Sequence, residues 1–281
     1  MAPVKFDDIH KTANEALSDD YQTSGFVFKT KQKTSWDGAV LSSQVDLFPA
    51  KESCMTPAKL TWKLPAPLGF SAICIDKLEM DKAGKFKLEA STDKVHPELK
   101  LECKSDLADI SKITAGLTYT GVKDTQLKFE TKATKPQDFV CEVMRTQGLA
   151  TFGLKLTPAT LTPATLTSPE VGARITSGPF FASLLAKEAF GAFSAHGLYK
   201  VSSELKCAAT YNVGGKQNGQ GAVGVVYQCN KSTSIKAKVQ QDQSFSCSVK
   251  SAISPGFTLL GGGKYDSKKG DFTYGLQLSV E

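Results

Sequence analysis

The chain has 281 residues, of which 41% are hydrophobic, and its formal net charge at pH 7 is +6. This length suits one large domain or two ordinary ones, and the hydrophobic share is that of an average globular protein. No run of about 18 apolar residues occurs, which excludes a transmembrane helix and leaves a β-barrel as the only structure that could span a bilayer.

The positive charge lies outside the N-terminal segment and comes almost entirely from lysine. Residues 1–21 contain two lysines and five acidic residues, a net charge of −3, so the remaining residues carry +9. Arg145 and Arg174 are the only arginines, whereas proteins that read nucleic-acid sequence rely on the arginine fork. We therefore expect no nucleic-acid specificity.

The first predicted element is an amphipathic helix close to the N-terminus. Its apolar residues recur at spacings of three and four: Phe6, Ile9, Ala13 and Leu17. Acidic Asp7 and Asp8 would lie in its first turn, where they suit the helix dipole, and the helix should end between residues 19 and 21. Periodicity alone leaves open whether this helix packs on a soluble core or lies inside a wide barrel.

From Gly25 onward, apolar and polar side chains alternate, which is the pattern of β-strands. The first strand should start at Gly25 and the second should cover about residues 38–47. Other clear segments are residues 60–64, 86–90, 99–103, 113–119, 235–239 and 271–280. Dividing residues 25–281 by the about 13 to 14 residues of a spanning strand plus its turn gives about 19 strands. We therefore predict a helix and linker over residues 1–24 and a transmembrane β-barrel over residues 25–281.

Two segments depart from clear alternation. Residues 157–167 contain Thr-Pro-Ala-Thr-Leu twice, and neither Pro158 nor Pro163 can donate to a strand ladder, so we predict an exposed loop there. Residues 178–197 also admit a helical interpretation, because several of their phenylalanines and leucines recur at helical spacing.

No segment predicts catalysis. Gly219, Gly221 and Gly224 match the spacing of a dinucleotide-binding fingerprint, but β-branched and aromatic residues follow them instead of a helix, which favours a glycine-rich hairpin turn. The three histidines have no second ligand at metal spacing, and the seven cysteines contain no Cys-x-x-Cys pair. We therefore predict no enzyme activity, no catalytic residue, no metal site and no cofactor.

An N-terminal amphipathic helix, many alternating strands and a terminal strand together resemble the voltage-dependent anion channels, the porins of the mitochondrial outer membrane. The resemblance covers the whole chain and is strongest at residues 6–14, Tyr21 and residues 30–34. Towards the C-terminus it includes residues 236–239, Pro255-Gly256 and the insertion signal polar-x-Gly-x-x-hydrophobic-x-hydrophobic, at Thr273, Gly275, Leu278 and Val280. Members of that family form barrels of about 19 strands, and residues 178–197 are read as a hairpin by this resemblance.

The resemblance implies a voltage-gated, weakly anion-selective channel in the mitochondrial outer membrane, a multi-pass β-barrel with its helix inside the pore. Ions and small metabolites such as ATP, ADP and phosphate would diffuse through it passively. The implied surroundings are outer-membrane lipids, with nucleotides and inorganic anions as permeants and with formation of a homo-oligomer.

Particular residues are expected to carry these properties. The pore helix would use Phe6, Ile9, Lys11, Asn14 and Leu17. Because lysines on the polar strand face would attract anions into a lumen, the pore-lining candidates are Lys29, Lys31, Lys59, Lys63, Lys85, Lys87, Lys236 and Lys238. Asn14 and Asp19 stand where animal members commonly carry basic residues, which leaves Lys11 as the helix's remaining cation of that set and suggests weaker anion preference.

Two other interpretations remain open. The related barrel of the outer-membrane protein translocase binds presequences, although a lysine-rich lumen would repel these basic peptides. A soluble β-rich binding protein would expose its charged faces to water and bury its apolar faces in a core, which alternation alone does not exclude.

Overall fold

The computed structural model describes residues 4–34, 38–47, 58–157, 169–188, 190–215 and 219–281. A short 3₁₀ helix, Phe6–Asp8, precedes the α-helix α1, Lys11–Ser18, and a second 3₁₀ helix spans Pro67–Gly69. Among the described residues, no helix has both the length and the apolar character needed to cross a membrane.

The described residues form nineteen strands. Their bounds are β1 Gly25–Lys33, β2 Val40–Asp46, β3 Ala58–Leu64, β4 Cys74–Met80, β5 Phe86–His96, β6 Leu99–Asp106, β7 Asp109–Tyr119, β8 Thr125–Lys132, β9 Lys135–Gln147, β10 Ala150–Leu156, β11 Glu170–Ser177, β12 Phe180–Lys187, β13 Ala192–Lys200, β14 Leu205–Gly214, β15 Gln220–Gln228, β16 Thr233–Gln240, β17 Ser244–Ser254, β18 Phe257–Asp266 and β19 Asp271–Val280.

The strands belong to one sheet that closes on itself. Neighbours in the sheet follow chain order, and β1 is hydrogen-bonded to β19 as well as to β2, which makes the sheet a barrel. Because nineteen is odd, strands that alternate in direction leave β1 and β19 running the same way, and the sheet is mixed. The predicted all-β barrel of 19 strands is confirmed.

The chain divides into two compact units. The first unit comprises residues 1–24, 124–126 and 142–276, and the second comprises residues 25–123, 127–141 and 277–281. The division into a helical segment, 1–24, and a barrel, 25–281, stays a prediction.

In the second unit, the strand register collects polar side chains on one face. Thr61 of β3 lies opposite Glu79 of β4, which lies opposite Lys87 of β5. The alternate positions, such as Trp62 and its partner Leu78, make the other face apolar. Register therefore turns the alternation of single strands into two continuous faces, as the two-residue period requires.

In the first unit, the apolar face is exposed over several neighbouring strands. Val225 and Val223 of β15 are 37% and 59% exposed, and they pair with Ala237 and Val239 of β16. A continuous exposed apolar sheet face of this kind is typical of contact with lipid rather than with water.

The N-terminal helix is shorter than predicted. Asp7 and Asp8 belong to the 3₁₀ helix, α1 begins at Lys11, and Asp19 is already extended. In a 3₁₀ helix the side chains at positions i and i+3 eclipse each other. Phe6 and Ile9 therefore pack against the same part of the sheet. In a continuous α-helix from Phe6, a larger angle would separate these two side chains.

The other uncertain segments have mixed outcomes. Strands β12 and β13 form an antiparallel pair, so the hairpin predicted for residues 178–197 is confirmed. The glycine-rich motif is not mainly a turn: Gly219 has a positive φ of 70°, but β15 begins at Gln220 and includes the other glycines. Of the loop predicted for 157–167, residues 158–167 lie outside the described residues, as does Cys54.

Candidate functional site

The candidate site consists of the N-terminal segment and the strand face that it covers, which we call the helix-bearing face. Ala13, Ala16 and Leu17 of α1 are buried against this face. The strand residues beneath them form an apolar row across four neighbouring strands: Phe181, Leu198, Ala208 and Gly224. The same face also contains polar residues, among them Ser183, His196 and Lys206, and α1 packs on its apolar part.

The 3₁₀ helix packs against a pair of glycines. Gly153 and Gly172 face each other in the β10–β11 register. A Cβ atom added at Gly172 would lie 2.5 Å from Ile9 Cδ1, and one added at Gly153 would lie 2.9 Å from Phe6 Cδ2. Phe6 is 1% exposed and Ile9 is 0% exposed, and both pack with Met144. We call this arrangement the N-terminal anchor.

Lys155 forms ion pairs with both the N-terminal anchor and strand β9. Its Nζ lies 3.0 Å from Asp7 Oδ1 and 3.4 Å from Glu142 Oε1. The same ammonium group lies 5.7 Å from the centroid of the Phe6 ring, within the range of a cation–π contact. Glu142 is 3% exposed, so its carboxylate depends on this partner.

We expect Lys155→Gln to destabilise the protein by about 3 kcal/mol, because it leaves a buried carboxylate without its counter-ion. Adding Glu142→Gln should restore most of that loss. Lys112→Gln provides the matched control, since Lys112 pairs with Asp109 at an exposed site, and its loss should destabilise the protein far less. Urea unfolding of the refolded variants measures all of these values, and equal losses for Lys155→Gln and Lys112→Gln would contradict the buried-pair interpretation.

Three lysines hold the other end of the helix. Lys236 Nζ donates to the carbonyl oxygens of Glu15, at 3.0 Å, and Asp19, at 3.1 Å. Lys238 Nζ donates to the carbonyl oxygen of Leu17 at 2.8 Å. The last carbonyls of a helix lack partners within the helix and carry its negative dipole end, so cations are favoured here.

The third lysine of this group binds a side chain. Lys250 Nζ lies 3.1 Å from Asp20 Oδ1, and Lys236 Nζ lies 3.5 Å from the other carboxylate oxygen of Asp20. We call these three lysines, with the helix end that they contact, the C-terminal anchor. The helix is therefore fixed to the first unit at both of its ends.

The chain continues along the face beyond the helix. Lys238 Nζ lies 4.4 Å from the centroid of the Tyr21 ring. Burial, with a smaller contribution from Cys247, raises the pKa of Tyr21 to about 12. A Cβ at Gly262 would lie 2.8 Å from the carbonyl oxygen of Gln22. The phenol thus stays neutral at physiological pH, and this close approach of linker to strand requires glycine.

Two histidines meet under the helix, a pairing that sequence reasoning did not find. The rings of His10 and His196 are stacked, with centroids 4.9 Å apart and an angle of 24° between their planes. Burial, followed by the charge of Lys187, lowers the pKa of His10. Among the described residues, no group of three His, Cys, Asp or Glu side chains could hold a metal ion.

The predicted helix residues divide into buried and exposed positions. Phe6, Ile9 and Leu17 are buried against the sheet. Lys11 is exposed and lies 3.7 Å from Asp8, and Asn14 is half-buried. Their roles in a pore stay predictions.

The predicted pore-lining lysines fall into two groups. Lys236 and Lys238 bind the helix rather than standing free. In the second unit, the Nζ of Lys59 lies 3.0 Å from Glu79 Oε2, and that of Lys31 lies 3.6 Å from Glu281 Oε1. The polar face of that unit also carries Lys29, Lys63 and Lys87, while Lys85 lies in the turn before β5. The residues of the predicted insertion signal, Thr273, Gly275, Leu278 and Val280, all lie in β19.

Several solved structures resemble the chain. Two mutant forms of the porin of Rhodopseudomonas blastica align with TM-scores of 0.48 and 0.47, at 10% and 9% sequence identity; each alignment covers 90% of this chain and 95% of the porin. A loop-deletion mutant of OmpT, an outer-membrane protein of Vibrio cholerae, aligns with a TM-score of 0.35 at 9% identity, covering 91% of this chain and 96% of OmpT. No individual curated protein matches the chain.

One family model matches almost the whole sequence. It is the model of the eukaryotic porins, and it covers residues 2–275. This match confirms the resemblance that the N-terminal helix motif and the terminal strand indicate. The chain belongs to the eukaryotic porin family.

Proposed function

We propose that the protein is a voltage-gated, weakly anion-selective channel of the mitochondrial outer membrane. Ions and small metabolites, including ATP, ADP and phosphate, diffuse through it passively. As a eukaryotic porin with a closed β-barrel, the chain is a pore-forming channel for small solutes, and this family and fold belong to channels rather than to enzymes. The gating, the selectivity and the mitochondrial location are the parts that we propose.

The docking of the helix on the polar face is the observation that carries the proposal. The opposite face exposes Val223 and Val225, whereas a soluble sheet protein would bury such a face in its core. An apolar face towards lipid and a polar face towards water is the arrangement of a membrane barrel. The helix-bearing face then lines the pore, and the helix occupies part of the pore's cross-section.

Anion preference follows in our proposal from lysine on that face. Lys200 and Lys206 lie on the helix-bearing face, opposite each other in the β13–β14 register. Cations along a water-filled pore raise the local concentration of anions. Asp19 and Asp20, at the end of the helix, oppose this field and keep the preference weak. The same cations repel basic presequences, which disfavours the translocase interpretation.

Voltage dependence is assigned to the N-terminal segment. Its contacts with the wall include the ion pairs of Asp7 and Asp20. A charge that crosses the whole membrane potential changes in energy by about 2.3 kcal/mol per 100 mV, so a shift of these paired charges through part of the field couples voltage to docking. Outer-membrane lipids surround the apolar face in this proposal, and that face also provides a surface for a homo-oligomer.

Single-channel recording in a planar bilayer with asymmetric chloride tests the proposal. We expect an open state of large conductance and closure at both voltage polarities. The reversal potential should have the sign that indicates preference for anions. Deleting residues 1–20 should raise the open conductance and flatten the voltage response, because it removes the helix from the pore.

The single substitution Thr12→Ala is the control, since Thr12 is exposed, and it should leave both properties unchanged. Unchanged gating after the deletion would reject the helix as the voltage-dependent element. A correctly folded protein that does not conduct would reject the channel itself.

A further inference from the structure

Three buried polar atoms lie together where the N-terminal segment covers strands β12 and β13. The ring of His10 stacks on that of His196, and Ser183 of β12 lies directly opposite His196 of β13 in the strand register. In the part of the chain that the structure describes, His10 Nδ1, Ser183 Oγ and His196 Nδ1 are buried and have no hydrogen-bond partner. Ser183 is only 6% exposed. Because a buried polar atom without a partner is destabilising, this group of atoms indicates a ligand that the chain itself does not supply.

Apolar clusters flank this polar group on both sides along the strands. Phe181 and Leu198 form the next inward-facing pair on one side, and both belong to the apolar cluster beneath α1. On the other side, Leu185 belongs to the cluster that contains the N-terminal anchor. A ligand at the polar group would therefore contact the N-terminal segment and the sheet at the same time.

The charges around the histidine pair are of both signs. Asp7, Asp8 and Lys187 all interact with His10, and Arg174 of β11 interacts with Asp8. Burial, followed by the charge of Lys187, lowers the pKa of His10. The imidazole of His10 is therefore neutral at physiological pH, and neutral imidazole is the form that binds a metal ion.

We propose that His10 and His196 bind one divalent transition-metal ion such as Zn²⁺, with the Ser183 hydroxyl and water completing its coordination. Imidazole nitrogen suits Zn²⁺, Cu²⁺ and Ni²⁺, whereas Mg²⁺ and Ca²⁺ prefer oxygen ligands. Binding requires the two rings to turn about their χ2 torsions, which are soft, so that one nitrogen of each ring reaches the ion at about 2.0–2.1 Å. Two histidines are fewer protein ligands than the three of a catalytic zinc site, so we expect reversible binding.

Metal binding is coupled to docking of the N-terminal segment, because the two histidines belong to different elements. His10 directly precedes α1, and His196 lies in β13. An ion held by both side chains cross-links the segment to the sheet. A ligand that binds only the docked arrangement favours it by a factor of 1 + [L]/Kd, so an ion concentration of about 100 times Kd favours docking about 100-fold.

Titration of Co²⁺ into the full chain, refolded in detergent at constant pH, tests the site by absorption spectroscopy. Co²⁺ occupies zinc sites, and its absorption bands distinguish nitrogen and oxygen ligands from thiolates. We expect saturable binding of one ion per chain with the spectrum of nitrogen and oxygen ligands, and displacement of Co²⁺ by Zn²⁺. The double variant His10→Gln/His196→Gln should lose affinity at least about tenfold, since even the outer-shell partners of metal ligands contribute about 10- to 100-fold.

The matched control is His96→Gln, because His96 is the third histidine of the chain and is exposed. It should leave the affinity for Co²⁺ unchanged. The single variant His10→Gln guards against misfolding, since His10 lies outside the strands, and it should weaken binding as the double variant does. Equal weakening by His96→Gln would overturn the proposal, and so would a thiolate charge-transfer band, which would assign the ion to cysteine. A parent protein that binds neither Co²⁺ nor Zn²⁺ would also overturn it and would assign the three polar atoms to water alone.

Limited proteolysis with a serine protease, which needs no metal ion, tests the cross-link. With Zn²⁺ at about 100 times Kd, cleavage within the N-terminal segment of the parent protein should slow at least about tenfold. Zn²⁺ should not slow this cleavage in His10→Gln/His196→Gln, and protection that persists there would contradict the cross-link. Neither assay depends on the proposed channel function. A conducting channel without saturable metal binding overturns the metal site alone, and a protein that binds the ion without conducting supports the site while overturning the channel.

Discussion

Replacing Phe6 and Ile9 together by alanine should release the N-terminal end of the helix from the wall. Both side chains are almost completely buried. Truncation of a buried Phe or Ile to Ala costs about 2–5 kcal/mol in well-packed sites, and the glycines beneath them, Gly153 and Gly172, supply no side chain to fill the space. The combined cost of the two truncations exceeds the free-energy change of about 3 kcal/mol that shifts a docking equilibrium 100-fold.

Limited proteolysis and voltage-clamp recording measure this release. The variant should be cut within its first 20 residues at least tenfold faster than the parent protein, and its closing should depend less steeply on voltage. Lys5→Ala/Thr12→Ala is the control, because both residues are exposed in the same segment, and it should match the parent in both assays. Proteolysis at the parental rate in the Phe6→Ala/Ile9→Ala variant would show that the charged contacts hold the segment by themselves.

A variant with a larger residue at Gly172 tests the same contact from the wall. A Cβ there already meets Ile9 Cδ1 and, at 2.8 Å, Leu185 Cδ2. Both are the ends of side chains that can rotate, so alanine is tolerable where a larger residue is not. The N-terminal anchor thus depends on glycine in the strands as much as on the apolar side chains of the N-terminal segment.

The strands and the barrel could be predicted from the sequence because their period is visible in one dimension. In β5, Phe86, Leu88 and Ala90 alternate with charged residues, and this segment became a strand with one polar face. Where both sets of alternate positions are apolar, as in residues 180–187, the period disappears. The reason is structural: Phe181 and Leu185 face the helix, while their neighbours lie on the exposed apolar face.

The contacts of the helix could not be predicted in the same way. The sequence predicts Lys238 as a pore-lining residue, and in the structure its Nζ donates to the carbonyl oxygen of Leu17, 221 residues away in sequence. Such a contact depends on which strands the helix crosses, and local periodicity contains no information about that choice. The stacking of His10 on His196 and the pairing of Gly153 with Gly172 have the same origin.

An arginine in the middle of the apolar face should separate a membrane barrel from a soluble sheet protein. Ala115 of β7 is exposed and pairs with Cys103 and Thr131, so it lies on the apolar face of the second unit. Arginine on the lipid face near the bilayer midplane costs about 2–4 kcal/mol, and the cost falls to about 0–1 kcal/mol near the interfaces. We therefore expect Ala115→Arg to lower folding stability in lipid vesicles by about 2–4 kcal/mol.

Two arginine variants provide the controls for face and depth. Thr114→Arg changes the adjacent residue on the polar face, opposite Lys104 and Lys132. It should cost less than Ala115→Arg, because water solvates the charge and each like-charged neighbour adds at most about 1 kcal/mol. Ser105 lies on the apolar face beside the end of β6. Ser105→Arg should therefore lower folding stability by only about 0–1 kcal/mol. Urea titrations in vesicles compare the three. A core of a soluble protein would penalise Ser105→Arg and Ala115→Arg alike, whereas a bilayer penalises them by depth, so equal losses at these two positions would reject the membrane-spanning barrel.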